Sequence, residues 1–140
     1  MSLDLSSLKK AVVALNEVVA KSDDADFMRG LDKVAQNAVK SGVIQHFEFT
    51  YELCWKFIKR WLETNVSATS VDGVTRRELF RQAAENRLID DVEQWIRHHE
   101  ARNQTSRTYQ ADIAEAAYEA AHDFARDAVR LLKALEARND

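Results

Sequence analysis

The residues best able to do chemistry are gathered late in the chain: His98, His99, Arg102, Asn103, Ser106, Arg107 and Tyr109. At about 100° per residue, the helical face begun by Val92 and Trp95 continues through His99, Arg102, Asn103, Ser106 and Tyr109, so an inward face turns polar. Two readings follow from the residue types. In one, Arg102 pairs with a carboxylate and Asn103 with backbone, fixing the bundle ends. In the other, the same groups face a pocket and bind an anion, because the planar guanidinium fork matches carboxylate and phosphate oxygens. Tyr109 follows a hydroxyl-rich stretch, which lets its phenol reach solvent.

Other chemistries find little support. His98 and His99 are adjacent, so they diverge by about 100° on one helix, and no HExxH or inward ExxH pair completes a metal site; no metal is expected. No glycine-rich loop follows a strand, which excludes a P-loop or a dinucleotide fingerprint. The single cysteine, Cys54, has no internal disulfide partner and sits in an apolar helical pattern, as a buried structural thiol would. A net charge of −3 gives no global basic field for nucleic acid. From Arg76 to Arg107 every Lys/Arg position is arginine, but Glu78, Glu85, Asp90, Asp91, Glu93 and Glu100 nearly cancel them.

The elements that position these residues read as helices. The chain has 140 residues, no proline and three glycines, with 46% hydrophobic and 31% charged residues. It fits one domain over residues 1–140, and no apolar run approaches the ~18 residues of a membrane span. A cytoplasmic location is expected. Leu5, Leu8, Val12, Leu15 and Val19 mark a first helix from about Leu3 to Val19. After an acidic break at Ser22 to Asp26, Phe27 to Ala38 reads as a short helix or an ordered connection.

A long helix follows from about Val34 to Glu63, with Gly42 as its weak point. Ile44, Phe47, Tyr51, Cys54, Trp55, Ile58, Trp61 and Leu62 form its core stripe. Phe49, Leu53 and Phe57 fall outside that stripe, widening the apolar arc to roughly 200° and predicting a homodimer interface on that flank. Asn65 to Gly73 is a linker, and Thr75-Arg76-Arg77-Glu78 caps a short helix reaching about Asn86. Asp90 to Glu93 repeats the signal for the polar-faced helix, Gln104 to Thr108 frays its end, and Asp112 to Glu115 caps a last, alanine-lined helix. The expected fold is all-α: an antiparallel up-and-down four-helix bundle with an additional short helix.

Several ordered blocks carry a family likeness. Val43-Ile44-Gln45-His46-Phe47-Glu48-Phe49-Thr50-Tyr51-Glu52-Leu53-Cys54-Trp55-Lys56, then Arg77 to Ala83, Leu88 to Asp91 with Trp95, and finally Arg102-Asn103-Gln104-Thr105-Ser106-Arg107-Thr108-Tyr109 resemble the nucleotidyltransferase substrate-binding protein family, a branch of the HEPN superfamily. The likeness runs from about Leu5 to the C-terminus, with an expanded connection around Asp23 to Lys40. It implies a dimeric helical bundle that pairs with a separate small nucleotidyltransferase, which would carry the ATP and magnesium; no cofactor is expected on this chain.

The resemblance also implies a toxin and antitoxin arrangement, in which the helical member is a metal-independent RNase using the arginine and histidine of an RxxxxH motif. The nucleotidyltransferase neutralises that RNase by adding AMP to a nearby tyrosine. Arg102 and Tyr109 match the arginine and the tyrosine. The histidine position holds Arg107, which cannot exchange a proton near neutral pH as imidazole does. The sequence therefore favours a partner subunit binding nucleotide or RNA through Arg102, Asn103, Ser106 and Tyr109. The alternatives are an RNase that keeps Arg102 and Arg107 and recruits His98 or His99, and a structural oligomer with a vestigial pocket.

Overall fold

A computed structural model describes residues 2–139 as six α-helices and one 3-10 turn, with no strand among them. The helices are α1 (Ser6–Asp23), α2 (Ala25–Arg29), α3 (Lys33–Asn65), α4 (Arg76–Glu85), α5 (Val92–Gln104) and α6 (Ala111–Ala137). The 3-10 turn, Thr105–Arg107, joins the last two. No helix among the described residues is long and apolar enough to cross a membrane.

Helix directions follow from the side-chain bonds between their ends. Leu3 and Asn139 exchange two hydrogen bonds, and the Tyr118 hydroxyl donates to Ser22, so α1 and α6 run antiparallel. Trp61 donates its indole N–H to the Arg138 carbonyl while Lys40 pairs with Glu115, so α3 and α6 run in the same direction. Tyr51 meets His99 and Glu48 meets Arg102, which sets α5 antiparallel to α3. Successive long helices therefore alternate up and down. The α3–α6 pair is central, with α1 packed on one side and α4–α5 on the other.

Local sequence accounts for most boundaries. Asp24, Asp32, Thr75 and Asp91 each accept a hydrogen bond from the backbone N–H three residues on, capping α2, α3, α4 and α5. The residues expected as a short helix or connection divide, with α2 ending at Arg29 and Lys33 already opening α3. The last helix begins earlier than Asp112 suggests: Gln110 holds the cap position without a side-chain bond, and Asp112 lies in the first turn, favourable to the helix dipole. Arg87 closes the α4 exit with a left-handed φ of 61°. Its N–H and that of Leu88 satisfy the carbonyls of Ala84 and Ala83, a Schellman-type ending in which the bonds offset the conformational cost.

The core stripe of α3 is largely as periodicity placed it, with Phe47, Tyr51, Cys54, Ile58 and Leu62 fully buried, but Trp55 is half-buried at its edge. Burial pushes the Cys54 thiol far above its usual range, which keeps it inert. One expected interface residue is misplaced. Phe57 is only 2% exposed and lies in one core cluster with Val71 of the linker and Leu79 and Phe80 of α4, so it belongs to the core and offers nothing to a second chain. Phe49, at 62% exposed, does stand in solvent, and Leu53 is half-buried.

Helix α3 passes through Gly42 without a break. A methyl group added there would meet only the Val18 side chain, at 4.0 Å, an ordinary van der Waals contact. Gly42→Ala should therefore raise stability by about 0.5–1 kcal/mol through lower unfolded-chain entropy. Urea denaturation should show a higher midpoint at unchanged slope, and a lower one would mean that α1 and α3 cannot accept the methyl.

Candidate functional site

The polar groups of α5 divide between two flanks, because His98 and His99 point in different directions. His98 faces α6 and is buried, its Nε2 2.6 Å from Asp127 Oδ2. Asp127 also accepts from Arg130 at 3.1 Å. Burial holds the His98 imidazole below its ordinary pKa and outweighs the pull of Asp127 toward protonation. A cavity of about 310 Å³ opens on this flank between the α4–α5 connection and α6, with Arg87, Trp95 and Asp127 among its walls.

His99 faces α3. Its Nδ1 lies 2.8 Å from the hydroxyl of Tyr51, which is buried, and burial raises that phenol well above its usual range. The Arg76 guanidinium at the start of α4 faces the same hydroxyl and stacks 3.5 Å above the centre of the Trp55 ring, a cation–π contact. Trp55 in turn donates to Glu52 at 3.0 Å.

Arg102, one turn beyond His99, lies between Glu48 at 3.6 Å and Glu52 at 3.4 Å, and donates to the Thr105 hydroxyl at 3.2 Å. Its carboxylate neighbours are those of the ion-pair reading. Two arginines and two glutamates leave this seam without net charge. The Nε atoms of Arg76 and Arg102 are the buried side-chain polar atoms without a hydrogen bond among the described residues. Both lie in this seam.

The other predicted residues separate from Arg102. Asn103 is exposed with its amide nitrogen 3.4 Å from His99 Nε2. Ser106 is exposed and bonds back to the Asn103 carbonyl. Arg107 is exposed and contacts Gln104 on its own turn, one turn along the surface from the seam. Tyr109 is 80% exposed, its hydroxyl accepting from the Gln110 amide at 3.4 Å. The expected fray of Gln104 to Thr108 is a 3-10 turn, in which Thr105 is buried and returns a hydrogen bond to the Arg102 carbonyl. Arg76, Tyr51, Glu48 and Glu52 join the site without having been singled out for it. Their lining-up needs α3, α4 and α5 to meet, and no spacing within one helix signals that. Among the described residues no group of three or more His, Cys, Asp or Glu side chains is placed to hold a metal ion.

Comparison with known proteins gives this arrangement its context. The family model described as nucleotidyltransferase substrate binding protein like matches residues 3–137. The chain belongs to this family. A Haemophilus influenzae relative named probable ribonuclease HepT is 31% identical over 138 residues, covering 98% of this chain and 94% of the relative. A solved Haemophilus influenzae structure, described as having the fold of a substrate binding domain of a nucleotidyltransferase, is 30% identical with a TM-score of 0.90, covering 95% of this chain and 99% of the other. A Thermus thermophilus crystal structure is 25% identical with a TM-score of 0.71, covering 91% and 98%. A TM-score of 0.90 over 95% of the chain shows that this chain and the Haemophilus influenzae structure share one overall fold.

The buried histidine makes stability depend on pH with a definite sign. His98 has a lower pKa folded than unfolded, so the unfolded chain binds the extra proton first. Its contribution is complete above about pH 6.5, the unfolded value, and is lost as pH falls toward the folded pKa. His99 is shifted down as well and adds to the effect. His122 acts oppositely: desolvation disfavours its charge, but Asp23 and the Tyr118 carbonyl outweigh that and raise its pKa, so its contribution is lost as pH rises through the folded value. Urea midpoints between pH 7.5 and 5.5 should fall in the wild type and fall less in His98→Gln. An equal slope in both would place His98 in water.

Proposed function

We propose that this protein is the helical partner subunit of a separate small nucleotidyltransferase, and that Tyr109 is the group on which the partner acts. The observation that carries the proposal is the exposure of Tyr109. A tyrosine that is 80% exposed, on the short connection between α5 and α6, can enter another protein's active site without unfolding either helix. The family description supplies the class of partner.

In this reading ATP and magnesium are bound by the partner. The phenolic oxygen of Tyr109 attacks the α-phosphorus, a new O–P bond forms, the bond to the β-phosphate oxygen breaks and pyrophosphate leaves. The phenolic proton passes to a base on the partner. Arg102 then serves the nucleotide or an RNA phosphate by its guanidinium fork, with Asn103 and Ser106 on the exposed surface next to the seam.

A ribonuclease reading is favoured by the name of the Haemophilus influenzae relative. Its difficulty here is Arg107: a guanidinium neither gives nor takes a proton near neutral pH, and loss of a general acid or base costs about 10²–10⁴-fold in rate. Under the partner-subunit reading, RNA cleavage by this chain is weak and Arg107→His raises it.

Incubation with its cognate small nucleotidyltransferase, ATP and magnesium should add AMP units to the wild type and none to Tyr109→Phe, read by intact mass. Modification that persists in Tyr109→Phe would place the acceptor elsewhere. Robust RNA cleavage by the wild type that disappears in Arg102→Ala would reverse the preference between the two readings.

The same proposal includes a homodimer formed through the α3 face that carries Phe49 and Leu53, beside the shallow surface lined by Gln45 and His46. Phe49→Glu should lower the mass seen by light scattering to that of a monomer while helicity is unchanged. A dimer that survives the substitution would move the interface to another face.

A further inference from the structure

We infer that His99 is a neutral phosphate-facing donor of the Arg102 seam, its proton fixed on Nε2 by Tyr51 and Arg76, and that Arg102 and His99 together take one phosphate group. The inference rests on the phosphate-binding reading of Arg102 and adds a residue and a protonation state to it.

The proton positions follow from which groups can only donate. Arginine has no acceptor, and its positive charge turns the oxygen of the nearby Tyr51 hydroxyl toward itself. The hydroxyl proton then points away from Arg76. The acceptor within hydrogen-bond distance of that hydroxyl is His99 Nδ1, at 2.8 Å. A neutral imidazole whose Nδ1 accepts must carry its proton on Nε2.

His99 is neutral near pH 7 because desolvation first and then the charge of Arg76 lower its pKa and prevail over the opposite pull of Glu52 and Glu100, with Arg102 adding the least. The groups packed around it are thus Tyr51 and Glu52 from α3, Arg76 from α4, and Glu100 and Arg102 on α5 itself. Nε2–H points to the half-exposed side, where the Asn103 amide nitrogen stands 3.4 Å away; two donors cannot face each other, so this tautomer requires the amide rotated to present its oxygen. Asn103 is exposed and free to yield that place to a stronger acceptor.

Three further features fit an anion. His99 and Arg102 are three residues apart and share a face of α5. The two arginines that flank His99 are the ones with unbonded buried Nε–H groups. Glu48 and Glu52 hold Arg102 at 3.4–3.6 Å, and the Glu52 contact leaves Arg102 Nε without a hydrogen bond, so the carboxylates position the guanidinium without saturating it. With the net charge of the seam near zero, recognition depends on directed donors rather than on the field, and a phosphate oxygen is the acceptor that suits a guanidinium edge and an imidazole N–H together. His98 cannot take this part, since its Nε2 is bonded to Asp127 on the other flank.

The test measures binding of adenosine monophosphate and of fluorescein-labelled single-stranded RNA to wild type, Arg102→Ala, His99→Phe and Tyr51→Phe, with circular dichroism to verify folding. His99→Phe should weaken binding about tenfold, the scale of one hydrogen bond to a charged acceptor. Tyr51→Phe, which keeps the ring and removes the hydroxyl, should weaken it less. Loss confined to one ligand identifies the source as a phosphomonoester or a phosphodiester.

A folded His99→Phe that binds as wild type, while Arg102→Ala does not, overturns the role of His99 and leaves the Arg102 reading standing. Binding that is absent in wild type, or unaffected by Arg102→Ala, overturns both. If His99→Phe does not fold, His99→Gln takes its place: its amide nitrogen can stand in for Nε2–H, so affinity should be largely kept. Imidazole nitrogen NMR of the wild type then decides, with protonation at Nε2 expected and protonation at Nδ1 contradicting the inference.

Discussion

The structure depends on the packing around one ring, Phe124. It is fully buried near the middle of α6 and meets Phe47 at 5.1 Å, Tyr51 at 6.0 Å, Trp95 at 5.8 Å and His98 at 5.3 Å between ring centroids. Three helices are joined at that point. Most of these pairs meet edge to face, the arrangement that the ring quadrupole favours. Replacing such a ring by alanine costs about 3–5 kcal/mol in a well-packed core, a large share of the stability of a domain this size. Because α5 contributes both Trp95 and His98 to this contact, its rotation about its own axis is fixed. Every polar side chain farther along α5 takes its direction from there.

That rotation explains how one helix serves two chemically different flanks. With His98 turned into the core against Asp127, His99 must turn toward α3, where Tyr51 waits with its hydroxyl, and Arg102 follows on the same side toward Glu48 and Glu52. Tyr51 belongs to both systems: its ring packs on Phe124 while its hydroxyl orders the seam. Arg76 completes the seam from α4, anchored on Trp55. Arg107, at the end of the 3-10 turn, and Tyr109, just past it, escape this control and lie in solvent. The chain thus ties one polar group of residues into the seam and leaves another exposed on the surface.

The all-helical bundle was legible in the sequence because its causes are local. The apolar period of α1, α3 and α6 and the cap at Thr75 depend on residues within one helix, while the box read at Asp90 to Glu93 lies one residue early, because Asp91 is the residue that caps α5. Phe57 was misread because helical geometry reports the angle of a side chain but not what will cover it, and Phe57 shares one core cluster with Val71 of the linker. The start of α6 was misread for a related reason, since a helix docked on a core needs no side-chain cap. In the site, the run from His99 to Tyr109 was read as one inward polar face, but His99 and Arg102 alone of that run turn toward α3 while Asn103, Ser106 and Tyr109 are exposed; the ion-pair reading of Arg102 has its carboxylates in Glu48 and Glu52. Arg76 and Tyr51 were not visible as partners of His99, because the first lies in a capping motif and the second in a core stripe.

The central claim is that α5, held by Phe124, sets two neighbouring histidines in different environments, both of which keep them neutral. Titration of the individual imidazoles by NMR tests this most directly. The account predicts that His98 and His99 both titrate below the ordinary value of about 6.5, with His122 above it. His98 or His99 titrating at or above that value would mean that α5 is rotated or loosely packed, and the seam built on it would not exist.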